Sequence, residues 1–210
     1  MKILCYGDSN TWGYVPNING YSKGAVMRRY SDKECWWGAL CEGNEVVVDG
    51  LCGRCIANES RWLINRNASV TLDKDFCKHT DIDCVIVQLG TNDCKSEYNL
   101  TAENIAKNMQ KLIQKIKCKN IEKIILISPA VIRENNNITK KYYVGAGVKS
   151  EKLDDLYAQI AQNEGCEFVS AKDIEVGEDG EHLTKYGHKM LSDRVCAKIN
   201  EYSNIMECNR

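Results

Sequence analysis

Apolar residues along this chain follow two alternating rhythms. Short unbroken runs, rich in β-branched residues, recur between stretches with helical spacing. Lys2–Tyr6 predicts a buried strand ending at Gly7, and Glu45–Asp49, Asp83–Gln88 and Lys123–Ser128 predict three more, the last closed by Pro129. Cys166–Val169 predicts a short fifth. Helices are predicted at Cys35–Cys41, Thr101–Lys117, Lys152–Asn163 and Leu183–Ile199. In the second of these, Ile105, Met109, Leu112, Ile113 and Ile116 share one face. Val15–Tyr30 and Val131–Lys149 fit neither rhythm and are natural places for pocket walls or contacts between subunits. The second, with Asn135-Asn136-Asn137 and Gly145-Ala146-Gly147, reads as an exposed loop.

Strands without polar alternation must be covered on both faces. Strands alternating with helices therefore predict an α/β fold, a parallel sheet between two helical layers. In such sheets the site lies in the crevice beyond the carboxyl ends of the strands. The residues just after each strand are therefore the first candidates for chemistry.

Length and composition narrow the picture. The 210 residues suit a single domain, 1–210, with 43% hydrophobic and 27% charged residues. The net charge of −1 lacks the basic excess of a nucleic-acid binder. No run approaches the ~20 apolar residues of a membrane span. Twelve cysteines would suit a disulfide scaffold in a secreted chain. Met1-Lys2-Ile3-Leu4-Cys5 leads straight into a strand, however, so a cytoplasmic chain with reduced thiols is expected. Cys52-x-x-Cys55 lacks the second ligand pair that a zinc site needs, and no metal or cofactor is expected.

Three strand ends and one late loop carry distinctive polar residues. They are Gly7-Asp8-Ser9-Asn10-Thr11-Trp12-Gly13, Asp49-Gly50-Leu51-Cys52-Gly53-Arg54, Gly90-Thr91-Asn92-Asp93 and Asp179-Gly180-Glu181-His182. Together they supply the parts for acyl transfer. A serine hydroxyl needs an adjacent base to become a nucleophile, and His182 can be that base for Ser9. Asp179 can fix the imidazole tautomer and stabilise the imidazolium. The Ser9 and Gly53 N–H groups and the Asn92 amide can receive the oxyanion. Trp12, close to the nucleophile, is expected to line the substrate pocket, whereas Trp36 and Trp37 are expected in the core.

These four blocks, in this order, resemble those of the SGNH (GDSL-like) hydrolase superfamily, and the likeness runs across nearly the whole chain. Gly7–Gly13, with Trp12, looks most like the aryl-esterase and acyltransferase branch. The resemblance implies a flavodoxin-like α/β/α sandwich and hydrolysis of short-chain carboxylic esters without a cofactor. It also implies a triad of Ser9, Asp179 and His182, an oxyanion hole of Ser9, Gly53 and Asn92, and self-association that narrows the site entrance. Asn10 departs from the leucine of the family name. Gly50 is a second candidate for the Gly53 role. Carbohydrate O-deacetylase and thioesterase activities use the same parts. A non-catalytic binding module would have lost a triad member, and a flavin binder would leave the Asp-x-x-His loop unexplained.

Overall fold

The computed structural model describes residues 1–19, 26–60 and 63–208, with side chains as far as Glu201. Five parallel strands form one sheet in the order β2-β1-β3-β4-β5. They are β1 (Lys2–Gly7), β2 (Glu45–Gly50), β3 (Cys84–Gln88), β4 (Lys123–Ile127) and β5 (Glu167–Val169). Each of the five predicted strands is present, within a residue at either end.

The helices are α1 (Ser9–Trp12), α2 (Ala68–Phe76), α3 (Ala102–Lys117), α4 (Thr139–Tyr142), α5 (Ala146–Glu164) and α6 (Lys185–Cys208). Successive strand residues point to opposite faces, so each strand feeds two cores. Leu4, Tyr6, Val85, Val87 and Leu126 pack against Leu72 of α2, Ile105 and Met109 of α3, and Leu153 and Tyr157 of α5. Ile3, Cys5, Ile86, Ile125 and Ile127 pack on the other face against Trp36, Trp37, Leu40 and the Leu191, Val195 and Ile199 stripe of α6. The result is the expected three-layer α/β/α arrangement.

Three segments differ from the sequence reading. Cys35–Cys41 is not a helix. The chain there makes two 3-10 turns, Asp32–Glu34 and Gly38–Cys41. Between them Trp36 and Trp37 are both buried, and Gly38 lies against the Asp32 carbonyl so closely that a Cβ would sit 2.2 Å from it. Val131–Lys149 is not an open loop. It holds α4 and the start of α5, and Ile132, Thr139, Tyr143 and Ala146 are buried. Its Asn and Gly residues serve as turn formers: the Asn136 Oδ1 accepts from the Ile138 and Thr139 N–H groups, and Gly145 takes φ +73 just before α5. Helix α2 has no counterpart in the sequence reading. Part of Val15–Tyr30, residues 20–25, lies outside the described residues, as does the side chain of Cys208.

Candidate active site

The carboxyl ends of β1 and β3, the turn after β2 and the loop before α6 converge on one cavity of about 180 Å³. Ser9, Gly53, Asn92 and His182 line it, with Tyr14, Met27, Cys52, Leu63, Lys95 and Glu181. A larger hollow of about 630 Å³ lies between the Asp32–Glu34 turn and the first turns of α6. Its lining includes Cys35 and Ser192 beside Lys33, Glu34, Lys185 and Lys189 but no histidine, whereas the smaller cavity places Ser9 beside His182 and is the candidate site.

Ser9 is the first residue of α1, directly beyond β1. The Asp8 side chain caps this turn by accepting the Asn10 N–H at 2.9 Å, and Gly13 ends it in a left-handed conformation. Gly7 lets the turn fold back sharply, since a Cβ there would lie 2.1 Å from the Thr11 Oγ1 and 2.6 Å from the Gln88 carbonyl. His182 comes from the loop before α6. That loop is closed by the Val176–Leu183 bridge, and the Thr184 hydroxyl accepts from the Gly187 N–H at the start of the helix.

The three groups are in line. The His182 Nε2 lies 2.9 Å from the Ser9 Oγ, and its Nδ1 lies 2.9 Å from the Asp179 Oδ2. Asp179 also accepts the His182 N–H at 3.1 Å and the Asn17 N–H at 2.8 Å, which fixes the carboxylate. In the neutral tautomer with its proton on Nδ1, the imidazole donates to Asp179 and accepts from Ser9. Tyr14 stacks on the imidazole with ring centres 4.2 Å apart.

Burial by itself pushes the His182 pKa down. Glu181, Asp179 and Asp8 outweigh that, and the pKa stands above the usual 6.5. Burial likewise raises the Asp179 carboxyl, but the hydrogen bond and charge of His182, with the N–H donors, bring it below the usual range. Burial takes the Asp8 and Asp93 carboxyls up to about 6, against the hydrogen bonds they accept.

The oxyanion candidates surround the same space. Gly53 takes φ +80 in the turn after β2, and it is this glycine, not Gly50, that reaches the cavity. Gly50 ends β2 beneath α1, where a Cβ would meet the Trp12 backbone at 2.4 Å. The Asn92 Nδ2 donates to the Arg54 carbonyl at 3.2 Å, leaving its second N–H for the cavity. The Arg54 guanidinium is buried. It donates to the carbonyls of Gly7 and Asp49, pairs with the Asp49 carboxylate at 2.7 Å, and lies 4.1 Å from the Tyr6 ring centre. Arg54 thus joins the turns that bear Ser9, Gly53 and Asn92.

One expected residue is placed elsewhere. Trp12 does not line this cavity; its ring lies beside Tyr14 and 5.8 Å from the Arg29 guanidinium. Met27 does line it, from the Val15–Tyr30 segment expected to build pocket walls, and Tyr14, Leu63, Lys95 and Glu181 line it without having been singled out. Trp36 and Trp37 are core residues, as expected. His188 is buried in α6, its Nδ1 accepting the Trp36 N–H at 3.2 Å. Among the described residues no group of three or more His, Cys, Asp or Glu side chains could hold a metal ion.

The model of the GDSL-like lipase/acylhydrolase family matches residues 5–190. The chain belongs to that family. It is a carboxylic ester hydrolase, on a scaffold shared with solved esterases. Est24, a carbohydrate acetylesterase from Sinorhizobium meliloti, is 27% identical with a TM-score of 0.86, the match covering 96% of this chain and 99% of that one. The aryl esterase of M. smegmatis is 25% identical with a TM-score of 0.85, covering 95% and 98%. Among curated proteins, none matches the sequence. Among the described residues no helix is long and apolar enough to cross a membrane.

Proposed function

We propose that this hydrolase cleaves esters of short acyl groups through an acyl-enzyme on Ser9. The observation that carries the reading is the unbroken chain from the Ser9 Oγ through His182 to Asp179, at 2.9 Å and 2.9 Å, opening on the cavity that holds Gly53 and Asn92. His182 accepts the hydroxyl proton as the Ser9 Oγ bonds to the ester carbonyl carbon. The carbonyl oxygen, now negative, is held by the Ser9 and Gly53 N–H groups and the Asn92 amide. The intermediate collapses, the alcohol leaves with the proton from His182, and the acyl group stays on Ser9. Water then gives its proton to His182 and attacks the acyl carbon. The acid leaves, and the proton returns to Ser9.

The cavity size supports short acyl chains. The space is small, about 180 Å³, and is walled by Tyr14, Met27, Leu63 and Glu181 close to the Ser9 hydroxyl. Across p-nitrophenyl esters from acetyl to decanoyl, kcat/KM should be highest for the shortest acyl groups and should fall steadily beyond. A maximum at octanoyl or decanoyl would overturn the short-chain reading. A fluorophosphonate should label one peptide, that containing Ser9.

A second reading, O-deacetylation of a carbohydrate, is favoured by Lys95 and Glu181 in the cavity wall. An ammonium and a carboxylate can donate to and accept from sugar hydroxyls. Acetylated oligosaccharides should then outperform p-nitrophenyl acetate in kcat/KM, and Lys95→Met should erase that advantage. The proposal also includes self-association and a cytoplasmic setting. Exposed Met27 and Leu63 of the cavity lining, with their exposed chain neighbours Val26 and Ile64, support the first, and the free thiols of the described cysteines support the second.

A further inference from the structure

Asn10 follows the nucleophile, is buried, and points away from the cavity toward the histidine loop. Its Nδ2 donates to the Glu181 carbonyl at 3.2 Å, and its Oδ1 accepts the Leu183 N–H at 2.9 Å. The amide therefore grips the backbone immediately before and immediately after His182. Its own N–H is held by the Asp8 carboxylate at 2.9 Å, so the grip is anchored to the turn that carries Ser9. We infer that Asn10 is a positioning residue, a clamp that keeps the His182 loop in register with the Ser9 turn across 173 positions of sequence. This rests on the proposed roles of Ser9 and His182.

The chemistry explains why such a clamp matters. In the free enzyme the hydrogen bond from the Ser9 hydroxyl itself helps to aim His182. Once Ser9 is acylated its Oγ carries no proton, and that bond is gone. Asp179 still sets the rotation of the imidazole, but its bond across the site goes to the Asn17 N–H, beyond the end of α1, and not to the turn that carries Ser9. The Asn10 bonds do not involve the reacting atoms and persist through both half-reactions. The grip needs one donor and one acceptor on a short side chain, which leucine lacks altogether and aspartate offers only in part.

The test is a double-mutant cycle on p-nitrophenyl acetate. Asn10→Leu should lower kcat by about 100-fold, the scale of a misplacement near 1 Å, with KM changed by less than about twofold. Asn10→Asp keeps the acceptor for Leu183 and should lose less. In a His182→Ala background the same substitutions should cost nothing further, because the clamp acts only through His182. A purely structural role would give an equal fold-loss in both backgrounds, and that result overturns the inference. So does an Asn10→Leu enzyme with kcat within about threefold of wild type. If Asn10→Leu fails to fold, Asn10→Asp in the two backgrounds decides by the same criterion. Full activity in Ser9→Ala would instead remove the proposed nucleophile, a separable failure.

Discussion

As the proposed base, His182 sets the working range of this enzyme through a local balance of charge. Only the neutral imidazole can accept the Ser9 proton, so activity appears as pH rises through its pKa. Burial favours the neutral ring, while Glu181, Asp179 and Asp8 hold the proton on it and place the pKa above 6.5. Glu181 acts on it through charge alone, and its carboxylate also accepts the Tyr143 hydroxyl. Glu181→Gln keeps an acceptor for Tyr143 but removes the charge. The acid limb of the kcat/KM profile should therefore move to lower pH, with the plateau rate near that of wild type. An unmoved or raised limb would show that the charge of Glu181 does not reach the base. Closeness of Trp12 to Ser9 in sequence suggested a pocket wall, but the short α1 turn leaves the indole beside Arg29 and outside the cavity lining.

At the scale of elements, the site depends on how closely α1 and the turn after β2 approach each other. Gly7 and Gly50 are paired in adjacent strands, and neither has room for a methyl group. Arg54 closes the same junction with bonds to Gly7 and Asp49 and a carboxylate pair at each of Asp49 and Asp75, the latter at 3.5 Å. Arg54→Met takes the nearest cation from the largely buried Asp49, which keeps only the more distant His79 at 3.9 Å, and leaves Asp75 to Lys78 at 3.0 Å. It should destabilise the protein by about 3 kcal/mol in urea titration, and it should also lower kcat through the displaced Gly53 and Asn92 donors. A stability change under about 0.5 kcal/mol, the ordinary surface range, would contradict the role assigned to this junction.

The strands and long helices were legible because buried runs and helical stripes are local signals. Helix α2 was not, because Ala68–Phe76 mixes Val70 and Thr71 with charged residues and buries only Ala68, Leu72, Asp75 and Phe76. The two 3-10 turns around Trp36 and Trp37 read as a helix because their cause is tertiary, two buried indoles and a crowded Gly38. Ser9, Gly53 and Asn92 stood out as candidates beyond strand ends, and Asp179 and His182 in the loop before the last helix. Tyr14, Lys95 and Glu181 were not, since nothing local says which loop side chains face the cavity.

For the whole molecule, one sheet and its two cores hold four separated segments in a single cavity. Ile86 sits at the centre of that sheet, fully buried, but the rim of the site is different in character. Val26 and Ile64 are 75% and 80% exposed next to Met27 and Leu63 of the cavity lining, an apolar margin suited to a second copy. Gel filtration should give a mass above that of one chain, and Met27→Glu with Ile64→Glu should shift it toward the monomer. A wild-type monomer at all accessible concentrations would remove self-association from the account.

The central claim is that Ser9 is the nucleophile, and the most direct test is the rate of Ser9→Ala on p-nitrophenyl acetate with a chelator present. Ser9→Ala should lose at least about 10⁴-fold in kcat/KM, the scale seen when a triad serine is removed, with thermal stability retained. A Ser9→Ala protein within about tenfold of wild type would contradict it, since the residual effect of an oxyanion hole alone falls far short of the intact triad.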